Sequence, residues 1–141
     1  MKVYIAAPFF NKQQLKSVID IENQLDDVGI PYFSPRLNGV LLDMSKEEIM
    51  ESKKKIFDDN VYNLDQCTHM VAVIDGRDTG TIWEMGYFYC DGKPIVSISF
   101  EGHGVNVMLA ESVLAHVDDL GEMTNALVGN KWEPANIAGI Y

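Results

Sequence analysis

Basic residues are scarce: 11 Lys and Arg stand against 21 Asp and Glu, a formal charge of −10 over 141 residues. A surface of that sign repels polyanions, which argues against nucleic acid or an anionic membrane as partner and suits a neutral or weakly charged small molecule. The one basic run, Lys53-Lys54-Lys55, is flanked by acids and reads as a solvated helix face. Cysteine is nearly absent. Cys67 and Cys90 form neither a CxxC pair nor a disulfide framework, so both are expected in the core of a protein kept in a reducing cytoplasm. No stretch reaches the roughly eighteen apolar residues that span a bilayer, and no long apolar segment precedes the first strand. A soluble chain that is not exported is the expectation.

Chemical signatures are missing as well. Without GxxxxGK[ST] there is no P-loop, and the lack of GxGxxG after the first strand argues against a dinucleotide site. His69, His103 and His116 are scattered with no ligand-like spacing, so no metal is expected. No Ser lies in a GxSxG elbow and neither Cys has a His close in sequence, which weakens acyl transfer. Carboxylate chemistry remains. Two carboxyl groups in one pocket are the usual equipment for cleaving a bond to an anomeric carbon, one as nucleophile or electrostatic stabiliser, one handling the leaving group's proton.

What is present is a regular alternation. With 47% apolar residues, positions 1–141 fit a single domain with a full core. Residues 3–7 form an apolar run ended by Pro8, as expected of a buried parallel strand. After Asn11, Leu15, Val18, Ile19, Leu25 and Val28 recur at helical spacing, and Gly29 with Pro31 supplies the stop. A second strand is expected over 32–34 and a long connection over 35–44. Ser45 and Glu48 then make a capping box. The helix it opens should turn Ile49, Ile56, Phe57, Val61 and Leu64 inward, with Asp58, Asp59 and Asn60 near its end, either facing solvent or hanging over the next strand's crevice. Further strands are expected over 69–74, 95–100 and 116–117, with helices between and after them. This order predicts a doubly wound, five-stranded parallel α/β sheet with helices on both faces.

The apolar run over 69–74 stops in a polar loop, and Ile74 to Tyr87 read IDGRDTGTIWEMGY. Acids thus gather at a strand's carboxyl end, where ligands bind in open parallel sheets. Asp78 reads equally well as a helix cap and Glu84 as an ordinary early-turn acid. Favouring a site, Glu84 lies between Trp83 and Met85, and a carboxylate among large apolar groups gains a raised pKa or nucleophilicity.

These residues carry a resemblance. The run Val3-Tyr4-Ile5-Ala6-Ala7-Pro8-Phe9-Phe10, then Phe33-Ser34-Pro35-Arg36-Leu37-Asn38, the DxGTxxExG element from Asp78 to Gly86, Gly92-Lys93-Pro94 and Val105-Asn106-Val107-Met108-Leu109 together resemble the nucleoside 2-deoxyribosyltransferase family. The resemblance implies a flavodoxin-like sheet in a homodimer or hexamer with shared active sites. It also implies a salvage enzyme that moves 2-deoxyribose between deoxynucleosides and free nucleobases with no metal or organic cofactor. Glu84 matches the nucleophile, Tyr4 a tyrosine that orients it, and Asp78 a pocket aspartate. Phe9, Asn38, Asp59 and Asn60 match positions around the bound nucleoside. Asn106 and the terminal Tyr141 match groups that reach a neighbouring subunit's pocket. Two departures bear on the base: Asp59-Asn60 stands where relatives often carry Asn-Asp, and Gly39 stands where relatives can offer a glutamine. Readings beside base exchange are an N-glycosidase of a (deoxy)nucleoside or nucleotide and a non-catalytic nucleoside-binding module.

Overall fold

The first strand divides its side chains between two cores. Val3 and Ile5 belong to one buried cluster, Tyr4 and Ala6 to the other, so the strand must lie inside a sheet covered on both faces. The computed structural model describes residues 1–39 and 44–129. Its elements run β1 (Val3–Ala6), α1 (Lys12–Asp27), β2 (Tyr32–Phe33), α2 (Lys46–Gln66), β3 (His69–Val73), α3 (Thr79–Cys90), β4 (Ile95–Ile98), α4 (Val107–Ser112), β5 (Ala115–Val117) and α5 (Leu120–Gly129), with short 3-10 turns at Pro35–Leu37 and Asp75–Arg77. The strands form one five-stranded sheet in the order β2-β1-β3-β4-β5, every pair parallel. This is the doubly wound arrangement that the alternation predicts.

Each face has its own helices. Val18, Ile21 and Leu25 of α1 and Met123 and Leu127 of α5 cover Val3, Ile5, Val71, Val73, Val96 and Ile98. Leu64 of α2, Met85 and Phe88 of α3 and Ala110 of α4 cover Tyr4, Ala6, Met70, Ala72 and Ile95. Local capping sets the helix starts. Asn11 accepts from Gln14 N at 2.9 Å, and the expected capping box forms in both directions, Glu48 N to Ser45 Oγ and Ser45 N to Glu48 Oε2.

Three expectations are corrected. In α1 the inward stripe is Val18, Ile21, Glu22 and Leu25, while Leu15 and Val28 are exposed. In α2 only Leu64 is buried, and Phe57, expected to face inward, is 53% exposed. Cys67 is buried as expected, but Cys90 is exposed in the last turn of α3. The buried Glu22 is held by Arg36, which donates from Nε to Oε1 at 2.8 Å and from Nη2 to Oε2. That forked pair ties the Pro35–Leu37 turn to α1. Among the described residues no helix is long and apolar enough to cross a membrane.

Candidate active site

The loop after β3 is shaped by its own capping. Asp78 has extended backbone and caps α3, its Oδ2 accepting from Thr81 N at 2.8 Å and from Thr81 Oγ1 at 3.0 Å. A Cβ at position 80 would stand 3.1 Å from Asp78 Oδ2, so Gly80 permits that close approach. Helical side chains lean toward the helix N-terminus, over the residue four back. Glu84 therefore reaches over Gly80, where no side chain covers it, and both residues line one cavity of about 220 Å³. Asp78 enters the same cavity, so it acts as a cap and faces the pocket at once. Phe9 and Phe10 reach it from the β1–α1 loop, Pro35 and Gly39 from the loop after β2, and Ile56 and Asn60 from α2. Apart from α2, these walls come from the carboxyl ends of β1, β2 and β3, the crevice at which open parallel sheets bind ligands.

Electrostatics single out Glu84. Burial is the largest influence and raises its carboxyl, the Tyr4 hydroxyl partly offsets this, and the charge of Asp78 adds a smaller upward push, leaving the group at about 7. Tyr4 is fully buried beneath the carboxylate, and burial before all else pushes its phenol up, so it stays a neutral donor. The contact between them is loose: neither Tyr4 Oη nor the buried Glu84 Oε2 makes a hydrogen bond of ordinary geometry. A desolvated carboxylate oxygen with no partner at a cavity wall is rare in folded proteins, where nearly all buried polar atoms are paired.

The remaining expected residues separate. Asn60 lines the cavity, whereas Asp59, one step round α2, forms an ion pair with Lys55 and accepts from Asn38 Nδ2 at 3.5 Å. Asn38 is thus an exposed neighbour of the pocket rather than one of its lining residues. Asn106 caps α4, its Oδ1 accepting from Met108 N at 2.9 Å, and lines a second, larger cavity of about 650 Å³ with Ile74, Ile82 and His103. Within one chain it does not line the Glu84 cavity. Tyr141 lies outside the described residues. Ile56, expected from the sequence only to face the core, and Gly80, expected only as part of the DxGTxxExG element, also line the pocket, and each stands four positions before a named pocket residue on the same helix. Among the described residues two groupings could offer ligands to a cation, Asp75 with Glu101 and His103, and Asp118 with Asp119 and Glu122, and neither lines the Glu84 cavity.

Sheet and crevice define a doubly wound α/β protein with a carboxylate site over its strand ends. Residues 3–127 match the family model described as nucleoside 2-deoxyribosyltransferase, and the chain belongs to that family. The solved 2-deoxyribosyltransferase of the psychrotolerant bacterium Bacillus psychrosaccharolyticus is 31% identical, with a TM-score of 0.81 over 95% of this chain and 98% of that one. A Thermofilum pendens protein with the provisional name 2′-deoxynucleoside 5′-phosphate N-hydrolase 1 is 25% identical over 100 residues, 70% of this chain and 68% of its own. The CMP N-glycosidase of Clostridium botulinum shares the fold at 17% identity and a TM-score of 0.58, over 91% of this chain and 99% of that one. Family membership makes the chain a nucleoside-processing enzyme.

Proposed function

We propose that the protein transfers 2-deoxyribose from a deoxynucleoside to a free nucleobase by double displacement on Glu84, within a single domain spanning 1–141. A Glu84 oxygen attacks C1′, the C1′–N bond breaks, and its electron pair leaves with the base, which takes a proton from solvent. The resulting deoxyribosyl ester is then attacked at C1′ by a nitrogen of the second base, which loses a proton and restores the carboxylate. Two inversions retain the anomeric configuration. The observation carrying this reading is the half-desolvated Glu84 carboxylate, its Oε2 unpartnered at the wall of the cavity. Desolvation leaves the anion reactive, and the Tyr4 hydroxyl beneath it orients the attacking group. The group on the α2 side is Asn60, an amide that reads a base edge by hydrogen bonds but delivers no acidic proton.

Among the described residues no Lys, Arg or His lines this cavity, and Arg36 is committed to Glu22. A 5′-phosphate would meet two carboxylates there, which favours uncharged deoxynucleosides over nucleotides. Hydrolysis, with water taking the second base's place, is the competing reading, and the names of the Thermofilum and Clostridium relatives support it. In the base-exchange reading Asn106 and Tyr141 complete a neighbouring subunit's site in a homodimer or hexamer, and the enzyme serves cytoplasmic nucleoside salvage. Incubation with deoxyinosine, with and without adenine, decides between the two chemistries. Deoxyadenosine formed only with adenine supports transfer, and hypoxanthine released without an acceptor supports hydrolysis. Intact-mass analysis after exposure to a 2-fluoro-arabinosyl nucleoside should show one pentosyl adduct, mapped to Glu84; an unmodified chain that still turns over removes the covalent step.

A further inference from the structure

The polar groups at the carboxyl end of β4 form a buried chain that the reaction above does not use. Asp75, 7% exposed at the exit of β3, accepts from Ser99 Oγ at 2.6 Å and from Phe100 N at 2.8 Å, one bond to each carboxylate oxygen. Ser99, itself fully buried, accepts in turn from His103 N at 2.8 Å. From the β5 side His116 meets Ser97 Oγ at 2.9 Å through Nδ1 and bonds the His103 backbone, while burial lowers its pKa. Val105 is buried in the core, and the next residue is Asn106. Segment 99–106 is therefore pinned from both flanks.

Burying a carboxylate is costly unless it is well bonded, and bonds to an ionised acceptor are about twice as strong as neutral ones. The cost falls on the residue joining two functional loops. Three positions after Asp75, Asp78 starts the helix that carries Glu84; Gly76 and Arg77 between them sit at positive φ, 79° and 49°, so the chain turns sharply there. We propose that Asp75 is a positioning residue: through Ser99 and the Phe100 amide it fixes the segment ending at Asn106 relative to the loop that launches the Glu84 helix. This rests on the base-exchange reading for its kinetic consequence, though not for its structural one.

Asp75→Asn keeps the shape but turns an NH₂ toward one of two donors, and Ser99→Ala removes one link while leaving Asp75 in place. In the full-length protein, amide hydrogen exchange at Phe100 and His103 should quicken about tenfold or more in either variant while β1 and β3 stay protected. With deoxyinosine and adenine, KM for the nucleoside should rise about tenfold in Asp75→Asn, with kcat changed less than about threefold. Combining Asp75→Asn with Asn106→Ala should lose little beyond Asn106→Ala alone, because both act through one group. Unchanged exchange at Phe100 and His103 overturns the proposal, and so does a fall in kcat at constant KM or full additivity with Asn106→Ala. A parent enzyme that releases base but never transfers sugar overturns the base-exchange reading instead, and the exchange and hydrolytic KM measurements then decide on Asp75.

Discussion

At the scale of single residues, the chemistry turns on how three influences settle at Glu84. Burial raises its pKa most, Tyr4 opposes that, and Asp78 adds a smaller upward push, leaving a value of about 7. A nucleophilic carboxylate works only when ionised, so kcat/KM for a deoxynucleoside should climb through pH 6–8 with an apparent pKa near 7. A profile already flat from pH 5 would mean that the carboxylate is charged far earlier and that its desolvation has been overstated. The same shift carries a stability consequence of opposite sense. The folded state holds the Glu84 proton more tightly than the unfolded chain, whose value is near 4.5, so this group's contribution falls as pH rises from about 4.5 to 7. Glu84→Gln removes that cost. At pH 8 the variant should be more stable than the parent by about 1–3 kcal/mol in urea denaturation, with the difference vanishing near pH 4. It should retain less than about a thousandth of the turnover. Glu84→Ala should likewise be folded and inactive, and appreciable residual activity in either removes Glu84 as nucleophile.

Among the elements, the turn after β2 and helix α2 decide the pocket's roof, and they differ in how they are held. Arg36 and the buried Glu22 anchor the turn to α1. Arg36→Met strands an uncompensated buried carboxylate and should cost about 3–5 kcal/mol. Adding Glu22→Leu should return most of that, as chemical denaturation of the single and double variants would show; no recovery would mean that the charges themselves matter to the fold. Local chemistry made most elements legible in advance. Asn11, Ser45 and Asp78 cap helices as their side chains suggest, and the strand and helix alternation leads directly to the parallel sheet. The DxGT element is legible for the same reason, since its cap and its glycine act within one helical turn. Helix phase is not. Asp59 and Asn60 differ by about 100° around α2, and only packing against α3 selects Asn60 for the pocket. Periodicity likewise marks Phe57 as apolar without telling what covers it; its observed partner is Trp83, in an edge-to-face contact at a ring separation of 5.6 Å.

For the whole molecule, charge and apolar surface pull in different directions. A chain of charge −10 repels its own copies, yet uncharged groups stay exposed along α3 and α4. Trp83 stacks on Tyr87 at 5.4 Å, Tyr89 is exposed, and Met108 is 76% exposed two residues beyond Asn106. Asn106 caps its helix beside the larger cavity and does not line its own chain's Glu84 cavity, so the base-exchange reading needs it to act across an interface. Subunit complementation tests this directly. Glu84→Gln lacks the proposed nucleophile but keeps Asn106; Asn106→Ala lacks the amide but keeps Glu84. In a dimer with shared sites, half of the molecules in an equilibrated equal mixture are mixed pairs, and each mixed pair rebuilds one intact site and one doubly defective site. Mixing and re-equilibrating the two variants should restore about a quarter of parental turnover per chain, above the mean of the separate proteins, and the gain should fade on dilution below the assembly's dissociation constant. Activity that stays at the mean of the two would assign Asn106 to its own chain.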